Sequence, residues 1–318
     1  MLTFTAEITD HCRRLDSFLQ NLIPMAPAGY RHKLIRSGHL LVNGSPATQD
    51  TLLMAGDRLS LKESAKTGEL LRKRLPDLDL LYEDDLLVII NKEAGLPVHK
   101  STEDGDRNLV TLAEAYMAQR GTPVKLRPVN RLDRGTSGAT LLAKSATSAG
   151  MFGRFVKEEG LGKVYLALAV GLLPAEGVIA EPLDGKESET SYRLLAATDG
   201  GSLAVVYPRT GRTHQIRKHL SMIGHPLLGD RRYGGPPLQG TAGHGLHAFA
   251  VSFRHPQQQE ETTILAPLPV DLVRLCNRIA GSDWEGILVQ LPFLAVTDTC
   301  RSTDPDPTGS GGGCGTYR

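Results

Sequence analysis

Asp133 is the residue of this chain best placed to do chemistry. It stands in residues 128–145, PVNRLDRGTSGATLLAKS, between Arg131-Leu132 and Arg134. A fixed positive charge beside a carboxylate favours its ionised form, and an ionised carboxylate can act as a nucleophile or stabilise developing positive charge. Gly135-Thr136-Ser137-Gly138 follows as a tight polar turn, and the apolar run from Ala139 to Ala143 reads as a strand. An acid on a turn ahead of a buried strand is held rigidly and can reach a ligand. Taken alone, Arg-Leu-Asp is an ordinary surface ion pair, but two further segments weigh against that. Residues 208–234 carry Arg209, Arg212, Arg217, Lys218, Arg231 and Arg232 against a single acid, Asp230. Thr210-Gly211-Arg212-Thr213 can turn into a helix with Thr213 as its cap, and His214, Arg217 and Leu220 then lie at spacings of three and four on related faces. Residues 163–171, KVYLALAVG, alternate as a half-buried strand that carries Tyr165 near Lys163.

The elements that must position these groups are short strands separated by turn signals, with few long helical patterns. This predicts a mixed α+β domain around a largely antiparallel sheet over residues 78–296, with helices at 109–120, 146–159 and 214–223. Residues 1–62 read as a separate unit. They hold an amphipathic helix near residues 14–19, a second helix at 30–37 ended by Gly38, a strand into the Asn43-Gly44 turn, and a Gly56-Asp57 turn into a last strand. Arg31, Lys33 and Arg36 on the second helix are spaced to share one face and are expected to contact phosphate. This unit resembles the small alpha-L RNA-binding module. Residues 63–77 are polar and charged and read as a linker. Residues 297–318, with Asp-Pro repeats and a glycine run, lack the apolar content to pack and are expected to be disordered.

Together these segments resemble the RluA family of pseudouridine synthases. The family's His-Arg-Leu-Asp and Thr-Ser-Gly turn stands here as Asn130-Arg131-Leu132-Asp133 and Thr136-Ser137-Gly138. The upstream Tyr-Glu-Asp and Val-x-x-Asn-Lys-Pro-x-Gly motifs stand as Tyr82 to Asp84 and Val88 to Gly95, and the Lys-x-Tyr-x-Ala strand as Lys163 to Ala167. Thr-Gly-Arg-Thr-His-Gln-x-Arg-x-His runs from Thr210 to His219, followed by Gly224-His225-Pro226 and Gly229-Asp230. Leu246-His247-Ala248 and Phe253 to Pro256 complete the set. Asn130 replaces the family's His and Glu93 its Pro. The resemblance implies isomerisation of uridine to pseudouridine within RNA: the glycosidic bond breaks, the uracil turns, and carbon 5 rejoins the sugar. It implies Asp133 as the catalytic carboxylate, Arg217 as its ionic partner and Tyr165 as the tyrosine whose ring stacks on the base and whose hydroxyl assists proton removal from carbon 5. Arg131 matches the arginine that fills the space left by a flipped base. Arg209, Arg212, His214, Lys218, Arg231 and Arg232 are expected to hold RNA, as are Lys92 and Lys100. The implied fold is α+β, a pseudouridine synthase catalytic domain around a largely antiparallel mixed sheet, preceded by the small α/β RNA-binding domain.

With 318 residues, 40% hydrophobic and 22% charged, the composition is that of an ordinary globular chain. A net charge of +1 does not by itself select nucleic acid, so the expectation of RNA rests on clustering. Cys12, Cys276, Cys300 and Cys314 lack metal-ligand spacing. No metal and no cofactor are expected, in keeping with an isomerisation that has no redox step. With no spanning apolar run and no secretory leader pattern, a cytoplasmic monomer is expected, acting on ribosomal RNA of the large subunit, with transfer RNA as the other substrate class. A non-catalytic ribosome-assembly factor would suit the N-terminal unit, but Asp133, Tyr165 and Arg217 together oppose it. A glycosidase needs two acids flanking one bond, and the motifs offer one.

Overall fold

A computed structural model of the chain describes residues 1–72, 78–99 and 107–297. The N-terminal part is built on a four-stranded antiparallel sheet of β1 (Leu2–Thr5), β2 (Leu40–Val42), β3 (Ser45–Pro46) and β4 (Arg58–Leu61), in the order β1-β4-β2-β3. Helices α1 (Leu15–Leu22) and α2 (Ala28–Arg36) close a core of Leu15, Leu19, Ile23, Leu34, Ile35, Leu40, Leu59 and Leu61. Gly38, at φ +65°, lets the chain leave α2 and turn back into β2.

The stretch expected as a linker departs from that expectation. Ala65–Arg72 is a helix, α3, whose Leu70 joins the N-terminal core and whose Thr67 hydroxyl lies 3.0 Å from that of Tyr30. Spacing hid it, because only one side of this polar segment is buried. The expected shared face of α2 also fails. Lys33 and Arg36 are exposed, while Arg31 is buried and its guanidinium donates to the carbonyl of Ala26. Residues 31 and 33 point nearly opposite ways on a helix.

The larger part is one ten-stranded sheet. Its strands are β5 (Leu80–Glu83), β6 (Leu87–Lys92), β7 (Arg127–Pro128), β8 (Ser137–Ala143), β9 (Gly162–Val170), β10 (Glu176–Ile179), β11 (Thr190–Thr198), β12 (Gly201–Pro208), β13 (Leu246–Arg254) and β14 (Glu261–Leu265). The order is β10-β11-β12-β9-β13-β8-β6-β5, with β14 on β13 and β7 on β8. All its pairings are antiparallel except β13 with β8. Helices α4 (Leu109–Gln119), α5 (Ala146–Glu158) and α6 (Gln215–Met222) stand where periodicity put them. Asn108 and Ser145 cap α4 and α5 through their side chains. Two further helices, α7 (Val270–Ala280) and α8 (Trp284–Thr297), were not expected. Leu272, Val273 and Cys276 of α7 and Trp284, Ile287 and Leu291 of α8 are buried in one core, and Pro292 inside α8 masks its helical pattern. Thr297 therefore ends a helix; the rest of the expected tail, residues 298–318, lies outside the described residues, as does Lys100. Among the described residues no helix is long and apolar enough to cross a membrane.

Period-two alternation sorts the central strands between two cores. Val164, Leu166, Leu168, Leu203 and Val205 face the α7–α8 side. Tyr165, Ala167, Ala169, Ala204 and Val206 face the other side with Ile216 and Leu220 of α6. Register then aligns Val206 (β12) with Tyr165 (β9), Tyr165 with Ala248 (β13), and Ala248 with Gly138 (β8). Tyr165 thus lies two strands, about 10 Å, from the strand that the Asp133 turn enters.

Candidate active site

The turn of Asp133 is tied down on both sides. The Thr136 amide donates to the Asp133 carbonyl at 3.0 Å, the Gly95 amide donates to the Arg134 carbonyl at 2.7 Å, and Arg134 Nε donates back to the Gly95 carbonyl at 3.0 Å. Asn130 holds β8 through both ends of its amide: Oδ1 accepts from the Leu141 amide at 2.8 Å and Nδ2 donates to the Ala139 carbonyl at 3.3 Å. The residue that departs from the family pattern is thus a strap between the turn and its strand. Gly138 sits at φ +113°, where a Cβ would collide with the backbone of Ala248. Only glycine lets β8 approach β13 in parallel at this point.

On the facing side, α6 brings in Arg217. Its Nη1 donates to Asp133 Oδ2 at 3.0 Å, while Nε and Nη2 grip Asp230 at 2.7 and 2.8 Å. One guanidinium therefore serves two carboxylates, with its fork on the buried Asp230 and its remaining arm on Asp133. Burial works against the Arg217 charge, but Asp230 and Asp133 outweigh it and raise its pKa. Burial likewise disfavours the ionised form of Asp230, and the bonds from Arg217 more than offset it, lowering its pKa. The Asp133 side chain is 27% exposed against 1% for Asp230. Asp133 is the acid a ligand can reach, and Asp230 is the anchor behind it.

Tyr165 projects from β9 into the same space and is buried. Burial first, and the Asp133 charge second, push its hydroxyl well above the ordinary tyrosine range, so it is a neutral phenol at any working pH. That disfavours a phenolate base and favours a ring surface with a hydroxyl donor. His214 caps α6 in a left-handed conformation, φ 55° and ψ 28°, without a side-chain cap bond; the expected Thr213 cap is not formed. Its Nε2 lies 3.7 Å from Asp133 Oδ1. His244 packs behind the turn, its Nε2 3.0 Å from the Thr136 hydroxyl, and burial with Arg217 lowers its pKa to about 4.

The structure brings Asp133, Tyr165, Arg217 and His214 together and leaves other expected residues around the rim. Arg131 is exposed two residues ahead of Asp133. Arg209 pairs with Glu189 at 3.0 Å, Arg212 donates to the Glu187 carbonyl, and Lys218 donates to Asp184. Lys92 is not on that rim. It is 1% exposed, and its ammonium donates to the carbonyls of Glu93, Leu96 and Arg134. Burial lowers its pKa to about 7. It is a clamp under the Asp133 turn and not a phosphate ligand. Sequence reasoning missed Asp230 and Tyr233 as parts of the site. The signal for Asp230 was present: it is the one acid in a segment of six cations.

The sheet thus holds a reachable carboxylate against an arginine, with a buried tyrosine two strands away, an arrangement that can stabilise developing positive charge beside a planar ring. The comparisons agree. Residues 86–222 match the RNA pseudouridylate synthase family. Ribosomal large subunit pseudouridine synthase C of Buchnera aphidicola subsp. Schizaphis graminum is 32% identical over 300 residues, spanning 84% of this chain and 94% of that protein. Ribosomal large subunit pseudouridine synthase D of Neisseria meningitidis serogroup B is 29% identical over 294 residues, covering 83% and 78%. The solved structure of human RNA pseudouridylate synthase domain containing 4 superposes with a TM-score of 0.52 at 25% identity, covering 63% of this chain and 92% of that one. The chain belongs to the RluA family of RNA pseudouridine synthases, and its activity is the isomerisation of uridine to pseudouridine in RNA.

Proposed function

We propose that this enzyme modifies large-subunit ribosomal RNA, with Asp133 as the catalytic carboxylate, Arg217 as its ionic partner and Tyr165 against the target base. The observation that carries the assignment of roles is the 3.0 Å contact between Arg217 and a partly exposed Asp133, backed by a second carboxylate that fixes the arginine. The names of the similar bacterial proteins support the substrate class. The target uridine is extruded from its stack, at a cost of a few kcal/mol, and Arg131 fills the gap. Asp133 takes up the positive character of the sugar or base carbon as the bond from C1′ to N1 breaks. The uracil rotates against Tyr165, C1′ bonds to C5, the C5 proton leaves, and N1 ends protonated. Arg209, Arg212 and Lys218 contact phosphates, and Lys33 and Arg36 of the N-terminal unit form an outlying RNA contact. Ribosomal RNA as the substrate makes this a cytoplasmic enzyme, and we take it to act as a monomer.

The test is pseudouridine mapping of total RNA from a strain lacking this gene, complemented with the wild type or with Asp133→Asn. The expected result is a loss confined to large-subunit ribosomal RNA, restored by the wild type alone. Loss at transfer RNA positions would overturn the substrate assignment, and restoration by the Asn variant would overturn the role of Asp133.

A further inference from the structure

Arg217 accounts for only one of the two oxygens of Asp133. Oδ2 receives Nη1 at 3.0 Å, whereas Oδ1 faces Nε2 of His214 at 3.7 Å. Three restraints aim this imidazole. Its backbone is held in the left-handed region, which costs a non-glycine residue free energy and so marks a position fixed by its surroundings. Its Nδ1 lies 2.8 Å from the Tyr233 hydroxyl. The two rings meet nearly edge to face, with centroids 5.7 Å apart at 78°. Tyr233 in turn lies under the Arg217 guanidinium, 5.0 Å from its ring centroid. One tyrosine therefore touches both groups that face Asp133.

The tautomer follows from charge. A proton on Nδ1 would leave the bare lone pair of Nε2 facing a carboxylate oxygen. With the Tyr233 hydroxyl donating to Nδ1, the ring proton sits on Nε2 and points at Oδ1. Burial lowers the pKa of His214 in spite of Asp133, and Arg217, Arg232 and Lys218 add to the effect. The ring is thus neutral near pH 7 and can donate from one nitrogen only.

We propose that His214 is a positioning residue that donates from Nε2 to Asp133 Oδ1, with Tyr233 fixing its tautomer, so that Asp133 meets the target nucleotide in a single orientation. At 3.7 Å the bond is not yet formed. The bond we assign belongs to the complex with RNA, in which catalytic hydrogen bonds tighten. This assignment replaces the phosphate-binding role expected for His214 from the sequence, and it rests on the reading of Asp133 as the catalytic carboxylate.

The experiment is single-turnover pseudouridine formation on ribosomal RNA from the deletion strain, at saturating enzyme, with RNA affinity measured alongside. His214→Leu is expected to slow the saturating rate about 30-fold, as for one hydrogen bond to a charged group, with affinity changed less than about twofold. His214→Gln, whose amide can donate near the Nε2 position, is expected to recover about tenfold of that loss. Tyr233→Phe is expected to fall between wild type and the Leu variant. Equal rates for the Leu and Gln variants would overturn the donor role. A loss of affinity with an unchanged rate would return His214 to phosphate binding. Asp133→Asn serves as the control on the underlying reading: if it turns over, the assignment of Asp133 itself falls, whatever the His214 variants do.

Discussion

At the scale of single residues, the site is organised around charges with more than one partner. Arg217→Lys keeps the charge but loses the fork, so a single ammonium cannot span Asp133 and Asp230. The expected outcome is a saturating rate lower by about 100-fold, near the effect of losing one preorganised charged contact; a rate within threefold would show that charge alone suffices. Asp230→Asn removes the anchor of a buried pair and is expected to cost about 3 kcal/mol in chemical denaturation. The motifs made Asp133, Tyr165 and Arg217 legible because each is read within a few neighbours. Lys92 was misread because a lysine in sequence looks like a solvated cation, and one of its carbonyl partners, Arg134, arrives from 42 residues away. His247 adds a pH dependence. It is fully buried, accepting from Ser137 Oγ and donating to the Ala266 carbonyl, and burial lowers its pKa to about 4. The unfolded chain binds this proton near pH 6.5. Its contribution to stability is complete above pH 6.5 and is lost as the pH falls toward 4, about 3 kcal/mol in all at about 1.4 kcal/mol per unit. Denaturation between pH 4.5 and 7 should therefore show a shallower pH slope for His247→Gln than for the wild type; equal slopes would sink this account.

At the scale of elements, strands were legible where an apolar or alternating run marks them, as in β8 and β9, whereas β13 entered the sequence reading only as two short motifs. Helices were legible where a capping residue opens the pattern, as Ser145 does for α5, and not where a proline interrupts, as in α8; α7 was missed although its apolar residues recur at helical spacing. What no pattern could give is the parallel contact of β8 with β13, because strands 110 residues apart in sequence carry no local mark of being neighbours. Gly138 is the trace of that contact. Gly138→Ala adds a left-handed strain to a collision with the Ala248 backbone, whose atoms cannot move aside as a flexible side-chain end would. A loss of about 3 kcal/mol or more is expected in urea denaturation, together with misplacement of Asp133 five residues earlier. A loss under about 1 kcal/mol would mean that the two strands can part without cost.

At the scale of the whole molecule, the N-terminal unit is docked and not merely strung ahead of the catalytic sheet. Arg13 donates to Asp79 through Nη1 and Nη2 and to Asp10 through Nε. Asn21 reaches Asp79 and the Leu80 carbonyl, Ser17 donates to the same carbonyl, Gln20 donates to Glu83, and His11 Nε2 donates to the Leu288 carbonyl. Arg13 with Asp79 and Asn21 with Leu80 each make two hydrogen bonds, the other contacts between the two parts are single, and the sequence hid them because their partners lie about 60 residues or more apart. Docking bears on the proposed binding mode, because two RNA contacts on one body would act as a single divalent surface, whereas a swinging unit would dilute the second. Two variants separate contact from docking. Lys33→Glu with Arg36→Glu removes exposed cations and is expected to weaken RNA affinity and to flatten the plot of log affinity against log salt by about 1.5 to 2 units, as two phosphate contacts are lost. Arg13→Ala touches no phosphate, since its guanidinium is buried against Asp10 and Asp79. It is expected to weaken affinity about tenfold with the salt slope unchanged and with the saturating rate intact, because no group at Asp133 moves. A reduced salt slope in Arg13→Ala would mean that its effect spreads to the RNA-binding face. Unchanged affinity would mean that the two contacts bind RNA independently and that docking serves stability alone.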